Sequence, residues 1–147
     1  MNLANLDEKG LTYLWNKIKN YVDSKISSSG GVTVTEYSPD DFNFNSFYQI
    51  MEFQCYRVGR MVFLNMELYI KSGTTVLSNT VYGFNWRSIP AEIKPSRNTL
   101  LQGFCCDGDF GNATQISSYV VGSTGIIKYS LPVVRSYIAV QGFWLVD

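Results

Sequence analysis

Val58 to Lys71 reads VGRMVFLNMELYIK. Gly59 and Arg60 suit a turn, and Met61 to Lys71 then alternates with a period of two. Val62, Leu64, Met66, Leu68 and Ile70 form one wholly apolar face, while Phe63, Asn65, Glu67, Tyr69 and Lys71 form a mixed one. Successive side chains of a strand point to opposite sides, so this is the pattern of a half-buried antiparallel strand. No other run of alternation in the chain is as long, and the sheet is expected to centre on this one.

The flanking segments supply its partners. Upstream, Val32 to Tyr37 alternates, Ser38-Pro39-Asp40-Asp41 is a turn in which proline presets φ and the aspartates bond nearby amides, and Tyr48 to Tyr56 is a second strand with Ile50, Met51, Phe53 and Cys55 as its apolar positions. Downstream, Val81, Tyr82, Phe84 and Trp86 crowd the stretch Thr80 to Trp86. The prolines of Ile89 to Ser96 exclude a central strand there and mark an ordered loop. Thr99 to Cys106 and Thr114 to Val121 read as a hairpin around Asp107-Gly108-Asp109-Phe110-Gly111-Asn112, and Gly122 to Gly125 turns into a strand over Ile126 to Ser130. Tyr137 to Val146 is apolar on both faces, as a strand buried centrally or at a subunit interface would be. Eight or so short strands at this spacing predict an antiparallel β-sandwich, with a jelly roll as the expected form.

Before the strands stands a different kind of segment. Asp7 suits an N-cap, and Leu11, Leu14, Ile18 and Tyr21 then recur at intervals of three, four and three. One reading is an amphipathic helix packed on its own domain. The other is a short trimerising coiled coil, and the segment after the helix favours it. Ser27, Ser28, Ser29, Gly30 and Gly31 make a flexible joint, which a stalk needs and a docked helix does not. The expected organisation is a helix over 1–26, a linker over 27–31 and a β-sandwich head over 32–147.

Composition narrows the function. The chain has 147 residues and no histidine, which removes Ser-His and Cys-His nucleophile pairs and histidine-ligated metal sites. Twelve basic residues balance twelve acidic ones with the signs interspersed, so no basic footprint for nucleic acid or an anionic membrane is present. Cys55, Cys105 and Cys106 are odd in number and the last two are adjacent, so free thiols in the sheet interior, made in a reducing compartment, are expected. Asp7 and Glu8 stand where a signal peptide needs an apolar core, and no run is long enough to cross a bilayer, so classical export is not expected.

Several motifs resemble those of phage proteins. LDEKGLTYLWNKIKNYVDSKI, residues 6–26, resembles an N-terminal helix of tail-fibre and baseplate-associated proteins from phages and prophages of Firmicutes and gut bacteria. YRVGRMVFLNMELYI, SIPAEIKPS and GSTGIIKYSLPVVRSYIAVQGFWLVD resemble, in that order, the glycine-plus-alternating strand, the proline loop and the closing aromatic strand of the small trimeric head domains at fibre tips. The resemblance implies a homotrimer with a C1q/TNF-like jelly-roll head, a place in the virion tail after synthesis in the host cytoplasm, and attachment to a bacterial cell-surface saccharide. It also implies contact with other tail subunits through the N-terminal helix. Phe104 to Thr114 matches none of these patterns.

Candidate binding residues emerge from side-chain chemistry. Sugars stack their C–H faces on exposed aromatics and bond their hydroxyls to Asn, Asp and Arg side chains. Tyr82, Trp86 and Arg87, and Asp107, Asp109, Phe110 and Asn112, each combine both kinds of group; the competing reading for the aromatics is core packing. Asp107, Asp109 and Asn112 could offer oxygens to Ca²⁺, but no bidentate glutamate comes after them, and a solvated hairpin turn accounts for them. Paired carboxylates at Asp40 and Asp41, or at Asp107 and Asp109, do not face each other across a cleft as a glycosidase needs. The expected protein is a non-enzymatic adhesin with no metal and no cofactor. The alternatives are a purely structural tail or baseplate trimer and, behind it, a glycan-degrading tail enzyme.

Overall fold

A computed structural model describes residues 16–24, 33–108 and 112–147. The chain divides into two units, Met1–Thr33 and Val34–Asp147. In the first, residues 16–24 form helix α1, where Ser24 Oγ donates to the Tyr21 carbonyl at 2.8 Å. Ile18 and Tyr21 are exposed on it. Leu11, Leu14 and the Ser/Gly segment 27–31 lie outside the described residues. Among the described residues no helix is long and apolar enough to cross a membrane.

The second unit is mainly β, as expected. Its strands are β1 (Val34–Tyr37), β2 (Tyr48–Val58), β3 (Met61–Ile70), β4 (Val81–Gly83), β5 (Thr99–Cys106), β6 (Thr114–Val121), β7 (Ile126–Ser130) and β8 (Tyr137–Leu145). All pairings are antiparallel, in one eight-stranded sheet of order β1-β2-β3-β8-β5-β6-β7-β4. Strands β5, β6 and β7 succeed one another as hairpins, and β8 returns to lie beside β5, which is a Greek key. The sheet curls into a half-barrel, sandwich-like in that its two ends face each other across one core. Tyr48 on β2 and Tyr129 on β7, far apart in strand order, join hydroxyls at 2.7 Å across that interior.

The period-two reading of β3 holds residue by residue. Val62, Leu64, Met66, Leu68 and Ile70 all point inward and are buried. Burying each such side chain is worth about 1.5–3 kcal/mol. The expectation that β3 is the centre needs adjustment. It is an interior strand, but the middle of the sheet is β8 and β5, because β8 takes the open edge of β3 with Val62 opposite Trp144 and Met66 opposite Val140. Strand β2 also carries a bulge at Met51, where the register passes from Ile50–Leu68 to Glu52–Glu67. The apolar positions had already switched parity there, from Tyr48 and Ile50 to Phe53 and Cys55. A bulge absorbs that change, turns Phe53 and Cys55 inward and leaves Met51 exposed.

The proline loop packs onto the core of the half-barrel. It forms a short 3-10 turn at Ala91–Ile93, and Ile89 and Ile93 are fully enclosed in the core. Trp144 Nε1 donates to the Ile93 carbonyl at 2.6 Å, and Arg57 donates to the Glu92 carbonyl at 2.8 Å. The three cysteines are free and buried, as the sequence implied.

One close approach gives a direct test of this packing. A Cβ added at Gly122, in the β6–β7 turn, would lie 2.5–2.7 Å from the backbone of Arg97, and the Gly122 amide donates to Asn98 Oδ1 at 3.0 Å. Backbone cannot rotate away as a side-chain tip can. Gly122→Ala is therefore expected to cost about 1–3 kcal/mol in denaturant unfolding.

Candidate functional site

Where the curled sheet comes nearest to closing, the segment before β2 meets the segment after β4. Asn43 has φ 50° and ψ 52°, a left-handed conformation that asparagine tolerates, and it ends the 3-10 turn Pro39–Phe42. The chain then runs alongside Phe84–Trp86. Phe44 bridges Asn85, the Asn45 amide donates to the Phe84 carbonyl at 2.8 Å, and the Trp86 amide donates to the Asn43 carbonyl at 3.1 Å. Asn45 Nδ2 adds a bond to the Gly83 carbonyl at 2.7 Å.

Behind this seam Asn85 is buried and fully employed. Its Oδ1 accepts the Ile127 amide at 2.8 Å, and its Nδ2 donates to the carbonyls of Arg87 and Gly125. Inward Phe84 stacks on Tyr129 at 4.3 Å. Phe84 and Asn85 are both buried, so strict alternation is broken here, and Trp86 stays outside although it comes two residues after inward Phe84.

Trp86 is 64% exposed and Phe47 46% exposed, and their ring centroids lie 6.0 Å apart, tilted by 54°. Large aromatics this open, on backbone held by several hydrogen bonds, form a rigid stacking platform. Phe47 is held in place by the Lys71 amide, which donates to its carbonyl at 2.9 Å, and Lys71 Nζ donates to the Ser46 carbonyl at 2.8 Å. Phe47 also borders a groove of about 450 Å³ whose other walls include Lys71, Ser72, Thr74, Thr75 and Tyr82. Hydroxyls, an ammonium and an aromatic edge thus line one open concavity. Tyr48 lies at its floor, where burial pushes its phenol up to about 12 and keeps it neutral.

The expected residues separate into two places. Tyr82, Trp86 and Arg87 all belong to the seam region. Trp86 and Arg87 are exposed, whereas Tyr82 is half-buried, stacked on Tyr129 with its hydroxyl accepting the Leu77 amide at 2.9 Å. Its role is to fix the loop after β3 and form a groove wall. Asp107 stands at the end of β5, which pairs with β6 and β8 and not with β4. There its carboxylate pairs with the guanidinium of Arg135 at 2.5 Å. Asn112 is exposed, and Asp109 and Phe110 lie outside the described residues.

Phe47 is the site residue that sequence reasoning missed. No periodicity marked it: Phe42 ends a 3-10 turn and is fully buried, whereas Phe47 sits in the turn before β2 and is exposed.

No known protein family matches this chain, and no curated protein matches it.

Proposed function

We propose that this chain is the receptor-binding head of a phage tail, which attaches the virion to a bacterial cell-surface saccharide. In this reading it is a homotrimer whose half-barrels are C1q/TNF-like jelly-roll heads, and the N-terminal helix, with Leu11, Leu14, Ile18 and Tyr21 as its seam, trimerises and meets other tail subunits. The exposed Phe47–Trp86 pair beside a hydroxyl-lined groove carries the proposal. A pyranose ring can lay its C–H face on the indole while its hydroxyls reach Lys71 Nζ, Ser72, Thr74 and Thr75. Such a site holds one sugar weakly. Three heads per trimer and several trimers per tail raise the attachment by avidity.

Binding of labelled full-length protein to host cells and to their purified surface polysaccharide tests this. Trp86→Ala and Phe47→Ala are each expected to weaken polysaccharide binding at least tenfold, about 1.4 kcal/mol per site, and to abolish retention on cells. Both side chains are open to solvent, so the variants should keep the parent's thermal transition. Cell binding that persists in the double variant would move the receptor site elsewhere. An absence of binding to any cell-wall preparation would leave the structural role, and release of reducing ends from the polysaccharide would establish the enzyme instead.

A further inference from the structure

We infer that the convex face of β3, β8 and β5 is the surface through which copies of this chain associate, an assignment that rests on the trimeric reading above and gives it a location. Strand β8 was expected to be buried either centrally or at a subunit interface, and within one chain the structure buries only one of its sides. Ile138, Val140 and Trp144 point into the core, while Phe143 is 64% and Leu145 60% exposed on the outside. The register sets their neighbours. Leu145 lies opposite Met61, and Phe143 opposite Phe63 with ring centroids 6.4 Å apart. Gln102 pairs with Gln141, which places Leu100 beside Phe143 on the other flank, and Leu100 is 82% exposed.

These five side chains form a continuous block on a well-formed sheet, not scattered exposures. They leave on the order of 500 Å² of apolar side chain in water, taking about 200 Å² for each fully exposed large residue. A stable interface buries about 800 Å² per partner, roughly two-thirds of it apolar between like subunits. The block therefore matches in size what one copy must contribute.

Its border favours a second copy over an unlike partner. The Gln141–Gln102 amide pair, bonded at 3.1 Å, bounds it on one side. At the other end Arg60 and Asp147 stand 3.7 Å apart, 69% and 84% exposed, one charge of each sign. A charged partner would find no net field there. Another copy would find its own complement, because Arg60 of one chain can meet Asp147 of the next around a closed ring.

The test is light scattering on the full chain, on Ile18→Glu/Tyr21→Glu, which breaks the helical seam alone, and on that seam variant with Leu100→Glu/Phe143→Glu added or, as a control on an exposed apolar side chain away from this face, with Leu77→Glu added. Three chains of 16.6 kDa should give about 50 kDa for the parent, the seam variant and the control, and adding Leu100→Glu/Phe143→Glu should bring the seam variant down to 16.6 kDa with unchanged circular dichroism. A parent at 16.6 kDa would overturn the trimeric reading itself. A seam variant already at 16.6 kDa, or one that stays trimeric with the face charged, would leave that reading standing and overturn only this face. A parent at about 33 kDa, split when the face is charged in the seam variant, would support the face and replace three-fold by two-fold symmetry.

Discussion

Asn85→Ala is expected to lower the unfolding free energy by about 3–5 kcal/mol and to take saccharide binding down with it. Asn85 is 3% exposed and makes three hydrogen bonds to backbone, to the Ile127 amide at 2.8 Å and to the carbonyls of Gly125 at 3.1 Å and Arg87 at 2.5 Å. The Gly125 carbonyl keeps a second donor in the Ile89 amide at 3.0 Å. The Ile127 amide loses its side-chain acceptor on a strand whose inward residue is wholly buried. A buried donor without an acceptor costs about 1–3 kcal/mol, and the two lost donations and the small void add to it. The link to function is positional. Trp86 comes directly after Asn85 and takes its backbone register from the bridge to Phe44. Urea unfolding and polysaccharide binding, measured on the same variant, check both halves. A variant within about 0.5 kcal/mol of the parent would show that solvent takes over the role of the amide.

Raising the pH should unfold the head between about pH 10 and pH 12. Burial, and then the carboxylate of Asp41, push the Cys55 thiol up from 9.0 to about 12. Burial raises Tyr48 from 10.0 to about 12, and burial, followed by the charge of Tyr48, raises Tyr129 as well. All three groups are more strongly protonated in the folded chain than in the unfolded one. Their stabilisation is complete below the unfolded values, about 9 for the thiol and 10 for the phenols, and is lost as pH climbs toward the folded ones. Within that window each group removes about 1.4 kcal/mol per pH unit. Three of them together exhaust a typical domain stability of about 5–15 kcal/mol within a few pH units. One phenol donates its hydroxyl proton to the other across their 2.7 Å contact, so they titrate as a pair. Tyrosinate absorbance recorded beside circular dichroism checks this. Exposed tyrosines should ionise first, and the buried pair should ionise in the step that loses the sheet. Ionisation of every tyrosine in one ordinary step, with the sheet intact, would refute it. Cys55→Ala should make the loss of stability shallower.

The strands were legible because a sheet with one wet face writes a period of two into the chain. Val62 to Ile70 shows it most plainly. The hairpins turning at Gly59 and Gly125 were readable for a related reason: both glycines have positive φ, which few other residues adopt. The Greek key was less legible. Periodicity says which side of a strand is apolar but not which strand lies beside it, and the return of β8 pairs it with β3 residues 68 to 84 positions away in the chain. The proline loop was identified as a loop, yet its composition did not say that Ile89 and Ile93 would plug the core.

The candidate site divides in the same way. Trp86 and Arg87 were chosen from residue chemistry, and the structure leaves both exposed. Phe47 joins them only because the chain bends at Asn43 and runs along the far edge of the sheet, a contact made when the two ends of the sheet approach. The outer faces of Phe143 and Leu145 were ambiguous in the sequence, because apolar residues on both sides of a strand suit a central position and a subunit interface equally. By itself the sequence determined most of the strands, the inward set of β3 and the free state of the thiols, since these depend on near neighbours and on burial alone. Only the tertiary structure decided which aromatics stand together at the surface and which apolar face is left open, because both depend on how far one sheet curls.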